Sequence, residues 1–209
     1  MLGVGKRRRE KRRVLWFEAG AILIAAAMLD FVVGDPWNWI HPVQVMGWFI
    51  SGYTKLGFRV VKGAIALRIL GIGLAIALIS GSAFFGWLIV TLARWVHPIF
   101  GDAIAVILLA SCFAGRSLRK AAEDVIEPLQ DGKLEEARSR LSRYVGRDTD
   151  DLSEAEILRA VLETVTENAV DGVLSPLFYA LVGLFIPMGS VALALAYKAA
   201  STLDSMVGY

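Results

Sequence analysis

Hydrophobic positions fall in long blocks rather than in short alternating runs, which predicts helices and gives no strand of useful length. Residues 14–33, 69–93 and 172–197 are each long enough to cross a bilayer, which takes about 20 mainly apolar residues. The block 69–93 has no charge, and 172–197 is uncharged but interrupted by Pro176 and Pro187. Two further stretches are marginal. Residues 36–54 carry two prolines and three tryptophans, and 103–114 follow the His97-Pro98 breaker.

Between these blocks, residues 116–171 change character, with nine basic and fourteen acidic side chains. Three helices are readable there. One runs from Arg116 to Leu129, and an amphipathic one from Leu134 to Val145. The third is headed by the Ser153/Glu156 capping box and runs to about Val170. The expected fold is all-α: a polytopic integral membrane protein with a helical cytoplasmic insertion. Its parts are a basic cytoplasmic tail at 1–13, membrane segments over 14–115 with 36–54 re-entrant or interfacial, a polar helical region at 116–171, and a membrane hairpin with a polar C-terminal helix at 172–209.

Composition supports this reading. The chain has 209 residues, 56% of them hydrophobic and 20% charged, with a mean hydropathy of +0.57. Soluble domains average about 45–50% apolar and about 25% charged residues. A disordered tail, a nucleic-acid-binding domain and a disulfide scaffold all fit poorly, and the lone Cys112 has no internal partner. The formal charge of +2 hides a split, because residues 1–13 carry a net +6. By the positive-inside rule that tail belongs in the cytoplasm, and so does the group Lys55, Arg59, Lys62 and Arg68. Both lie inside only if the chain enters and returns before residue 54, which leaves 116–171 cytoplasmic as well.

Four constellations could carry chemistry. Glu163, Glu167 and Asp171 recur at i+4 on one helix face beside Asn168, and hard oxygen ligands of this kind suit Mg²⁺; a solvated acidic face is the plain alternative. The C-terminal stretch YKAASTLDSMVGY puts Tyr197, Ser201 and Asp204 on one face with Lys198 alongside, and ionisable groups at the edge of a membrane helix are functional candidates. In GDPWNWIHP, Asp35 and His41 each precede a proline, and a lone histidine there is more often structural than catalytic. The loop GRDTDDLS offers Arg147 for phosphate and Asp148 or Asp150 for metal, although on composition alone ordinary helix capping is the favoured reading of its aspartates. The phosphate-cradling pattern G-x-x-x-x-G-K-[ST] and a strand-associated G-x-G-x-x-G are absent.

Together the stretches LDFVVGDPWNWIHPVQVMGWFI, SLRKAAEDVIEPLQDGKLEEARSRLSRYVGRDTDDLSEAEILRAVLETVTENAVDGVLSPLFYALVG and LALAYKAASTLDSMVGY resemble the adenosylcobinamide-phosphate synthases of cobalamin biosynthesis, the CobD/CbiB type. The resemblance covers about 25–209 and looks like the N-terminal part of a family member. It implies an ATP-dependent ligase of the inner membrane that joins (R)-1-amino-2-propanol, or its O-phosphate, to the free propionate carboxyl of a cobyric acid-type corrinoid. On that basis Glu163, Glu167, Asn168, Asp171, Lys198 and Asp204 are catalytic candidates. Asp35, His41, Arg116, Arg147, Asp148 and Ser201 are substrate-binding candidates. Glu163, Glu167 and Asp171 are expected to hold Mg²⁺ with ATP; no nucleic acid is expected as a partner. A non-catalytic membrane regulator or scaffold of the same fold is the alternative.

Overall fold

A computed structural model describes residues 2–34, 41–186 and 189–208, with side chains from Phe17 onward. Every regular element among them is helical. Helices α1 (Leu2–Val32), α2 (Pro42–Val60), α3 (Ala64–Val96) and α4 (Pro98–Ala110) are followed by α5 (Gly115–Gln130), α6 (Leu134–Leu141) and α7 (Glu154–Ala169). A π-helical turn, Val170–Leu174, then leads into α8 (Ser175–Gly183) and α9 (Gly189–Val207).

The prolines act where their chemistry allows. Pro42 and Pro98 occupy first-turn positions, where the missing N–H costs nothing, and His41 and His97 cap α2 and α4 through their ring Nδ1 atoms. Pro128 lies inside α5 rather than ending it. The Ser153 capping box forms as read, with Ser153 N and Oγ both donating to Glu156 Oε2 at 2.8 and 2.6 Å.

Helices α1–α4, α8 and α9 pack around a core rich in small side chains. Ala26, Ala180, Ala194 and Ala199 are fully buried there, letting the backbones approach closely. Helices α5–α7 have a separate core centred on Val125, Leu141 and Ile157. Among the described residues, two stretches, Ala64–Val96 and Pro98–Gln130, are long and apolar enough to cross a membrane by length and composition. The second is broken at 111–114, so its apolar part is α4 alone.

Contacts give the direction of each helix. Gly57 and Tyr53 of α2 meet Leu70 of α3, while Pro42 shares a groove with Phe85 and Ile89, so α2 and α3 are antiparallel. Arg94 of α3 pairs with Asp102 of α4, again antiparallel. Glu18 and Ile22 of α1 share a cleft with Pro98 and Asp102, and Asp30 bonds Gly115, so α1 runs parallel to α4. It follows that α1 and α2 run in the same direction. This corrects the expected return pass between 14 and 54. The N-terminal half of α1 leaves the bundle at one end, whereas α5–α7 and the Lys55–Arg68 group lie toward the other. The basic tail and 116–171 therefore lie at opposite ends of the bundle, whereas the sequence pattern puts them together.

The last apolar block is not one straight helix. The chain turns after Gly183, and α9 packs back along α8.

Candidate active site

Four elements converge where α1 and α4 end. Helix α4 stops at Ala110, and 111–114 tighten through Cys112 N–Leu109 O and Phe113 N–Ala110 O bonds of 3.0 Å each. Ala114 N then donates to Gly172 O at 2.8 Å, which ties the break to the π-helical turn. Such turns insert one residue into a helix and recur at functional sites. Here the insertion presents Asp171 to α9, where Tyr197 Oη donates to Asp171 Oδ1 at 2.9 Å. The Tyr197 ring also stacks on Tyr179 of α8, with centroids 5.0 Å apart and planes 18° apart. Both ends of the phenol are thus held. Lys198 is the next residue on α9. The hairpin has brought Asp171 and Tyr197 to one junction.

The remaining expected residues divide. Glu167 is exposed in the last turn of α7, and Asn168 bonds back to Thr164 O at 2.8 Å. Both flank the junction. Ser201 lies about one turn beyond Tyr197, while exposed Asp204 lies about 10 Å further along α9 at 1.5 Å per residue. Asp35 falls outside the described residues.

Several expectations are corrected. Glu163 accepts from Arg159 Nε at 2.7 Å and from Arg147 Nη2 at 3.3 Å. The Arg159 hydrogen bond, helped by the charges of Arg159 and Arg147, holds its carboxyl below the usual range. Arg147 is therefore engaged with Glu163 in this structure. Among the described residues no three His, Cys, Asp or Glu side chains are grouped to hold a metal ion. The set Glu163, Glu167 and Asp171 is therefore not a preformed Mg²⁺ site, because i+4 spacing strings the carboxylates along a helix rather than closing them round a point. Arg116 bonds the Phe31 and Val32 carbonyls at the end of α1, a capping role. Asp148 accepts from Asp150 N at 3.1 Å within its own loop. His41 caps α2, the structural role its neighbours suggested.

Asp30 was missed as a site residue. It is 6% exposed in an otherwise apolar run, and a buried carboxylate in such a run was a readable signal. A cleft of about 780 Å³ opens at the opposite end of the bundle between Glu18, Trp87, Trp95 and the Arg94–Asp102 ion pair. None of the residues expected from the sequence lines it.

A profile of the CobD/Cbib protein family matches residues 23–209. The cobalamin biosynthesis protein CobD of Synechocystis sp. is 54% identical over 189 residues, covering 90% of this chain and 55% of the relative. CbiB of Salmonella choleraesuis and CobD of Citrobacter koseri, both also named cobalamin biosynthesis proteins, are each 44% identical over 184 residues, covering 88% of this chain and 56% of the relative. The chain spans about half the length of the curated relatives it matches. No solved structure matches. With its matched region running from α1 through the Asp171–Tyr197 junction to the end of α9, the chain belongs to the CobD/CbiB family.

Proposed function

We propose that this chain supplies the amine-ligation centre of a membrane enzyme in cobalamin biosynthesis. The reaction joins (R)-1-amino-2-propanol, or its O-phosphate, to the free propionate of a cobyric acid-type corrinoid. A carboxylate is a poor acyl donor, so its oxygen takes the γ-phosphoryl group of ATP and ADP leaves. The amine nitrogen then attacks the acyl carbon, phosphate departs, and the nitrogen gives up a proton. Such chemistry needs a cation where charge builds on phosphoryl and carbonyl oxygens, and an acceptor near the amine. The observation supporting this reading is the Asp171–Tyr197 bond, which sets a carboxylate of fixed orientation beside the helix carrying Lys198. Lys198 serves the oxygens and Asp171 the amine, with Glu167 and Asn168 flanking. Mg²⁺ enters with the nucleotide, and no residue here is assigned to it.

The bilayer is the proposed surrounding of the bundle. Ile65, Ile69, Ile72 and Ile76 form an outward stripe on α3, each more than 60% exposed. Burying one such side chain is worth about 1.5–3 kcal/mol, so a stripe left bare is at home in lipid rather than water. The two basic groups make opposite demands under the positive-inside rule. The need for ATP decides for a cytoplasmic α5–α7 end, with the N-terminal tail on the other side of the inner membrane.

Two experiments test these readings. Membranes containing the intact protein should form cobinamide or its phosphate from cobyric acid, the amine and Mg-ATP, releasing ADP; absence of any amide product would refute the ligase and leave the non-catalytic scaffold. For topology, an impermeant thiol reagent applied to intact cells of a Cys112→Ser background should label Gly3→Cys and spare Ser139→Cys. Labelling both or neither would contradict the parallel run of α1 and α4. The reverse pattern would overturn the orientation alone.

A further inference from the structure

We infer that Asp30 is a positioning residue for the active junction, acting through the first residues of α5. This rests on the ligase reading for its kinetic readout but not for its geometry. Helix α5 begins without a local cap, since Ala114 at its N-cap has no side chain able to accept from the first turn. The missing acceptor comes from α1, 85 residues away in sequence, where Asp30 Oδ2 receives Gly115 N at 2.9 Å. A carboxylate at a helix N-terminus also complements the helix dipole. The next residue returns the favour, as Arg116 reaches the Phe31 and Val32 carbonyls that end α1. Each helix is thus capped by the other.

The approach is close enough that a side chain at 115 would push the Asp30 carboxylate aside. A Cβ there would sit 2.9 Å from Asp30 Oδ2 and 4.0 Å from Val173 Cγ2 in the π-helical turn. Immediately before it, Ala114 N bonds Gly172 O, the neighbour of Asp171. The chain of contacts therefore runs from Asp30 through Gly115 and Ala114 to Gly172, Asp171 and Tyr197. No link is longer than a hydrogen bond or a peptide step. Asp30 acts through Gly115, and so sets the height at which the π-helical turn meets α9.

The test uses intact protein with 3-fluorotyrosine placed at Tyr197, read by ¹⁹F resonance in detergent, together with ligation kinetics in membranes. Asp30→Ala should move the ¹⁹F resonance and lower kcat about 10- to 100-fold, the scale of a displacement near 1 Å, with KM for amine and ATP within about threefold. Asp30→Asn keeps an acceptor for Gly115 N and should recover most of kcat. Should Asp30→Ala fail to fold, Gly115→Ala keeps the carboxylate but forces it away, and the same ¹⁹F shift is expected. A folded Asp30→Ala or Gly115→Ala protein with an unmoved resonance, or a loss expressed in KM alone, would overturn the inference. If the resonance moves but the wild-type protein forms no amide, the ligase reading fails and the positioning role stands.

Discussion

Lys198→Met should abolish nearly all ligation, by about 10²- to 10³-fold in turnover, while the protein still inserts and purifies normally. That range is what loss of one preorganised group facing developing negative charge costs. Lys198 is the cation next in sequence to Tyr197, which bonds Asp171, whereas Arg116 caps α1 and Arg147 is paired with Glu163. Lys198→Arg keeps the charge on a bulkier fork and should recover part of the rate. Tyr197→Phe removes only the hydrogen bond to Asp171 and should cost less, roughly tenfold, the scale of one hydrogen bond worth about 0.5–1.5 kcal/mol. Turnover of Lys198→Met within twofold of wild type, measured at saturating ATP, would remove Lys198 from the site and require another cation.

How much of this was legible follows from the range of each interaction. Hydropathy alone marks α3, and the Ser153/Glu156 box marks the start of α7, because both depend on residues within one or two turns. The helix ends at His41-Pro42 and His97-Pro98 were local for the same reason. Direction was not local. An apolar run reads the same up or down, so the parallel course of α1 and α2 emerged only from contacts such as Tyr53 with Leu70 and Asp30 with Gly115. The acidic stripe failed for a different reason. A helical wheel at 3.6 residues per turn treats Glu163, Glu167 and Asp171 as equivalent, but the π-helical turn begins at Val170 and breaks the register before Asp171. Arg147, sixteen residues from Glu163, then takes the first carboxylate out of the set. The folding back of 172–197 was legible because a straight helix would have put Asp171 and the polar C-terminal stretch roughly 40 Å apart at 1.5 Å per residue, and the contact that joins them is Tyr197 with Asp171.

That hairpin is also where a single methyl-sized change should do most damage. The turn after α8 brings backbone against backbone: a Cβ on Gly183 would lie 2.5 Å from Ser190 Cα, 2.7 Å from Gly189 O and 2.8 Å from Gly189 C. Main-chain atoms of a tight turn have no rotamer through which to retreat, so the two helices must part. Gly189 adds a second constraint with φ of 81°, a region that disfavours any Cβ. Overpacking of a well-fitted core costs about 1–3 kcal/mol and occasionally more, and a collision with backbone belongs at the upper end. The fully buried Ala180 and Ala194, which line the α8–α9 core, would lose contact as the turn opens. Tyr197 would then move off both Tyr179 and Asp171. Gly183→Val should therefore lower the thermal midpoint of the purified protein by several degrees or more and extinguish ligation, although no proposed reacting group is altered. Gly81→Ala is the control, since a Cβ there meets nothing within 4 Å, and it should melt with the wild type. A Gly183→Val protein with wild-type melting and turnover would mean that the close turn is absent, and with it the arrangement that joins Asp171 to Tyr197.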